Sequence, residues 1–108
     1  MAFQLSSVGA GYEAVITASF TYRSSRGLRL AVTPHLTTGG DDVSIASSSR
    51  PLAPSPTART ATVTWIVHGL DGSLTYGLNL SASVLGSAPS SWSYSFTDIN
   101  LVVEGSPA

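Results

Sequence analysis

The stretch Tyr12–Arg23, YEAVITASFTYR, puts Tyr12, Ala14, Ile16, Ala18, Phe20 and Tyr22 on one side of an extended chain. Glu13, Thr17, Ser19, Thr21 and Arg23 fall on the other. Successive side chains of a strand point to opposite faces, so this alternation predicts a long strand with one buried side. Val15 is the only apolar residue out of phase. The same period recurs downstream. Leu28, Leu30 and Val32 share a face before Pro34, which cannot donate to a ladder and predicts the end of regular pairing. TTGGDD (37–42) reads as a turn and VSIA (43–46) as a short strand. Over Thr60–His68, the residues Ala61, Val63, Trp65 and Val67 alternate with Thr60, Thr62, Thr64 and His68. Asp71-Gly72 is a hairpin signal. After it Leu74, Tyr76, Leu78, Leu80, Ala82 and Val84 keep one phase.

The final segment, WSYSFTDINLVV (Trp92–Val103), changes phase. Trp92, Tyr94 and Phe96 are in step, whereas Ile99, Leu101 and Val103 are in the opposite step. A bulge near Thr97–Asp98, or passage from one sheet to another, reconciles the two halves. No stretch has a helical period. Roughly six to eight strands at this spacing predict an all-β fold, an antiparallel β-sandwich or jelly-roll-like barrel. Residues 1–108 form one domain on this reading.

Ser47–Thr60, SSSRPLAPSPTART, interrupts the pattern with three prolines and two arginines. Neither flanking half has enough apolar strand to close a core alone, so the segment joins strands within the domain. It reads as a stiff surface arm that adds little to the fold of one subunit. Arg50–Pro56 also resembles the polyproline ligands of SH3 domains, with Ala53 where better ligands carry proline. Proline restricts the free chain and lowers the entropy lost on docking. Arg50 and Arg59 can make charge-assisted bonds to a neighbour's carboxylates. An assembly contact through Arg50, Pro51, Pro54, Pro56 and Arg59 is therefore expected. A second cluster, Arg23, Arg26 and Arg29, surrounds one predicted turn and is the second candidate for the assembly contact.

Composition narrows the function. Charged residues are 10% of the 108, against about 25% in a typical soluble domain. Thirty residues are Ser or Thr, and the five basic residues are all arginine. A net charge of −1 supplies no phosphate-binding surface, so no nucleic-acid partner is expected. The absence of cysteine excludes disulfides, thiolate metal sites and a cysteine nucleophile. The first residues carry no basic and apolar signal-peptide pattern, and no apolar run approaches a membrane span, so no membrane partner is expected. Sparse charge lowers the barrier to self-association and suits a protein docked in an assembly.

No catalytic constellation stands out. His35 and His68 are the only histidines, and no GxSxG elbow is present. Asp41 and Asp42 are neighbours on a turn and cannot flank a substrate as acid and base do. Trp65, Tyr76, Trp92 and Tyr94 could build a sugar-stacking platform, but their apolar phase predicts core packing. The expectation is a protein that is not an enzyme and takes no cofactor or metal.

Gly69–Ser91, GLDGSLTYGLNLSASVLGSAPSS, resembles the late strands of a fibronectin type III module, with Leu70 and Tyr76 matching its tyrosine corner. The whole chain is similar in character to small all-β virion proteins of tailed bacteriophages, of the capsid-decoration or head-fibre type. That resemblance implies location in the virion and a capsid or other virion protein as partner. It also implies a homo-oligomer, often a trimer. The alternative is a β-sandwich module that binds carbohydrate or a host surface.

Overall fold

Apolar alternation on one side of Tyr12–Arg23 becomes the middle of a sheet, where both neighbours satisfy its backbone. In the computed structural model, residues 1–5, 11–25, 28–45, 48–86 and 93–107 are described. Their strands are β1 (Ala2–Phe3), β2 (Tyr12–Ser24), β3 (Arg29–Thr38) and β4 (Asp41–Val43). They continue with β5 (Arg50–Leu52), β6 (Arg59–Leu70), β7 (Tyr76–Leu85) and β8 (Tyr94–Pro107). One sheet runs β6-β2-β8. The other runs β1-β7-β3-β4, with β5 also paired to β3. All pairings are antiparallel. The protein is an all-β sandwich.

The core lies between the sheets. Ala14, Ile16, Ala18, Phe20 and Tyr22 of β2 meet Leu30, Val32 and Leu36 of β3, Trp65 and Val67 of β6, and Tyr76 and Leu78 of β7. All but Leu36, which lies beyond the proline expected to end pairing, are residues whose phase predicted burial. Two residues depart from their phase: Leu74 is exposed just before β7 begins, and Tyr94, expected in the core, is exposed at the start of β8.

The phase change in the last strand is a bulge. Ser19 pairs with Asn100 and Thr21 with Thr97, so Phe20 alone opposes Asp98 and Ile99. Asp98 takes a positive φ of 54° there, a conformation that aspartate tolerates better than most residues. The extra residue returns Leu101 and Val103 to the core side, in step with Phe96.

Two local expectations are corrected. Pro34 does not end pairing; it sits inside β3, buried, opposite Leu80. The outer neighbour of β3 is interrupted there, because β5 covers Leu30–Val32 and β4 covers Leu36–Thr38. The ladder phase turns the Pro34 nitrogen toward this gap, so its missing N–H removes no bond. Asp71-Gly72 makes no hairpin, since β6 and β7 belong to different sheets. The turn is instead held by Tyr76, whose hydroxyl accepts from the Asp71 N–H at 2.9 Å. Ser73 donates through its hydroxyl and its N–H to the Asp71 carboxylate, holding that carboxyl below its usual pKa. The Gly39–Gly40 turn does make a two-residue hairpin, at φ of 57° and 87°.

A buried serine pair ties β2 to the segment after β5. The Ser24 N–H donates to the Ser55 carbonyl at 2.8 Å, and the Ser55 N–H donates to Ser24 Oγ at 3.1 Å. Ser24 is 1% exposed. Ser24→Ala strands the Ser55 N–H, and an unsatisfied buried donor costs about 1–3 kcal/mol. A thermal melt should fall by about 4 °C or more. An unchanged melting temperature would mean that water reaches Ser55.

Candidate functional site

Charge is sorted along the long axis of this 50 × 22 × 19 Å molecule. Arg23 ends β2 opposite Ser95, Arg59 opens β6 opposite Tyr22, and Arg29 opens β3 opposite Leu85. The short β2–β3 connection and the Ser24–Ser55 bonds bring these three strand ends to one end of the sandwich. Arg26 lies outside the described residues. The carboxylates gather at the other end. Glu13 starts β2, Asp41 and Asp42 start β4, Asp71 lies in the β6–β7 turn, and Glu104 stands opposite Val15. Of the six acidic residues in the chain only Asp98 departs from this end. A net charge of −1 therefore conceals a strongly bipolar molecule.

At the arginine end, Arg23, Ser24, Ser25, Pro56, Ser93, Tyr94 and Ser95 line an open cavity of about 380 Å³. It joins one residue of the predicted arm, Pro56, to one of the predicted turn cluster, Arg23. Among the described residues, Arg23, Arg29 and Arg59 form no salt bridge; the ion pair present is His68 Nδ1 with Glu13 Oε2, at 3.1 Å. Both partners there are substantially exposed, so the pair adds little stability. The guanidinium groups of Arg23, Arg29 and Arg59 are thus available for carboxylates of another molecule.

The arm is more structural than its composition predicts. Arg50–Leu52 pairs as β5 with Val32, Ala31 and Leu30, and Leu52 is buried in the core. Arg50 donates from Nη2 to the Thr64 carbonyl at 3.0 Å and stacks 5.7 Å from the Trp65 ring centre. It is committed to its own subunit. The Tyr22 hydroxyl donates to the Ala53 carbonyl at 2.6 Å, and Trp65 Nε1 donates to the Ser48 carbonyl at 2.9 Å. Pro51 sits in an edge strand and is no free polyproline ligand. Pro51, Pro54, Pro56 and Arg59 are exposed.

The aromatic platform is not assembled. Trp65 and Tyr76 are buried, Tyr94 is exposed, and Trp92 lies outside the described residues. Among the described residues no group of three or more potential ligands could hold a metal.

Sequence reading missed one pairing. His35 Nε2 lies 3.0 Å from Ser81 Oγ on the outer face of the second sheet. They are far apart in sequence, and only the diagonal offset across the β3–β7 register joins them. Both are exposed, among the described residues no carboxylate forms an ion pair with His35, and Ser81 Oγ also reaches the Thr33 carbonyl at 3.4 Å. This is a surface cross-strand bond. No family model, curated protein or solved structure matches the chain.

Proposed function

We propose that the protein is a non-enzymatic structural subunit of a virus particle, decorating and reinforcing a bacteriophage capsid. The docking mode rests on one observation: among the described residues, Arg23, Arg29 and Arg59 form no ion pair and stand at the end of the sandwich away from Glu13, Asp41, Asp42, Asp71 and Glu104. Exposed guanidinium groups at one end of the sandwich, with Arg23 on the wall of an open cavity, suit charge-assisted bonds to carboxylates of a capsid surface. The virion setting rests on the whole-chain resemblance. Burial of Trp65 favours a scaffold over a sugar-binding face.

Replacing Arg23, Arg29 and Arg59 together by serine touches no buried group and should leave the melting temperature unchanged. Co-sedimentation with purified capsids should weaken by roughly ten- to a hundredfold, and the remaining binding should lose its salt dependence. Full-strength capsid binding by the triple variant would overturn this docking mode.

A further inference from the structure

The open cavity at the arginine end is built from three chain segments that hydrogen bonds hold together. The Ser25 N–H donates to the Ser93 carbonyl at 2.9 Å, and the Ser93 N–H donates to Ser25 Oγ at 3.1 Å. These join the end of β2 to the residue before β8. The Ser24–Ser55 bonds join β2 to the segment after β5. There Ser55 Oγ donates to the Thr57 carbonyl at 2.7 Å, fixing Pro56 between them. The walls are set before a ligand arrives, which lowers the ordering cost of binding.

The lining has an excess of donors. Arg23 donates only, and no carboxylate stands among the described lining residues. Each serine hydroxyl has one proton to give. Ser24 Oγ and Ser25 Oγ already accept a backbone N–H, and no described residue accepts their protons. Ser93 and Ser95 add two exposed hydroxyls. An acceptor-rich ligand matches such a wall. Arg23 is the one charged residue among the described lining, so it balances a single negative charge. A carboxylate meets that requirement and fits the guanidinium fork, whereas a phosphomonoester carries about −1.5 to −2.

Size and the two remaining residues identify what bears the carboxylate. The cavity, about 380 Å³, is in the range of about 300–1,000 Å³ for small-molecule sites. A lone carboxylate leaves most of it unfilled. Beside the hydroxyls stand two apolar ring surfaces, Pro56 and Tyr94, both exposed. Tyr94 is braced against Phe96 in a T-shaped contact with ring centres 5.9 Å apart, and 42% of it stays accessible. Such rings pack on the C–H face of a sugar, and the serines are matched by its oxygens.

We propose that this cavity binds the uronic-acid unit of an acidic saccharide. Arg23 pairs with the carboxylate, Ser25, Ser93 and Ser95 bond the sugar oxygens, and Tyr94 and Pro56 cover the apolar face of the ring. The site uses neither of the buried aromatics Trp65 and Tyr76. Arg29 and Arg59 do not line it. It is therefore independent of the capsid reading, which needs all three arginines.

Calorimetric titration of the full chain with trimers of galacturonate, glucuronate and mannuronate should show one-to-one binding of at least one of them. The methyl ester of that trimer keeps every ring and removes the charge, and should bind at least about tenfold more weakly. Arg23→Ser should weaken binding of the acid to the same degree at an unchanged melting temperature. The double variant R29S/R59S should keep it. Tyr94→Ala should weaken acid and ester alike, because the ring contact does not use the charge. No binding of any of the three trimers at millimolar concentration overturns the proposal. So does an ester that binds as well as its acid. A tetraglutamate peptide that binds as tightly as the saccharide also overturns it, assigning the cavity to an acidic protein surface.

Discussion

Trp65→Ala should cost about 3–5 kcal/mol, the range for truncating a large buried aromatic side chain. Trp65 is 1% exposed and faces Ile16 across the β2–β6 ladder. Its loss leaves a cavity in a core only one sandwich thick. It also removes the bond from Nε1 to the Ser48 carbonyl and the ring on which Arg50 lies. Domains of this size have total stabilities of about 5–15 kcal/mol, so the variant should melt at least about 12 °C lower. Trp65→Phe separates the contributions, keeping most of the volume while losing the N–H. It should recover most of the deficit, leaving about 1 kcal/mol for the missing bond. A Trp65→Ala protein that melts within a few degrees of the parent would show that the indole is not packed between the sheets.

The second large effect is expected at the arm. Replacing Arg50–Pro56 by a Gly/Ser loop of equal length should destabilise the isolated subunit by at least about 3 kcal/mol, chiefly through loss of the Leu52 side chain. Three further losses act in the same direction. The β5–β3 pairing disappears, the Arg50 bond to Thr64 goes, and removal of Pro51, Pro54 and Pro56 frees the unfolded chain. This reverses the expectation drawn from composition, in which the arm serves contacts between subunits and contributes little within one. Denaturant unfolding of the replacement checks it. Unfolding at the parent's midpoint would return the arm to a purely external role. Pro54→Ser is the control: Pro54 is exposed and lies beyond the last residue of β5, so its effect should stay below about 1 kcal/mol.

Pro34 and Asp71-Gly72 show why single residues mislead when read alone. A proline is incompatible with a strand only where its nitrogen faces a neighbour, and here it faces the gap between β4 and β5. Asp-Gly supplies the flexibility of a turn but does not specify which sheet receives the next strand. The Tyr76 hydroxyl on the Asp71 N–H, closing this turn, belongs to a passage between sheets.

What the amino-acid order alone determined is the all-β class, the buried phase of β2, β6 and most of β7, and a phase break near Asp98, which the β2–β8 register resolves as a bulge rather than a change of sheet. Each follows from a local rule, because strand periodicity fixes which side chains share a face and an extra residue reverses it. Only the tertiary structure decided what lies beside what. Leu52 is a lone apolar residue among prolines, with no periodicity to reveal that β3 would bury it. His35 and Ser81 meet through a register that no local rule supplies. The arginines and carboxylates are interspersed along the chain and sort to opposite ends only because successive antiparallel strands reverse direction, returning Arg23, Arg29 and Arg59 to one end.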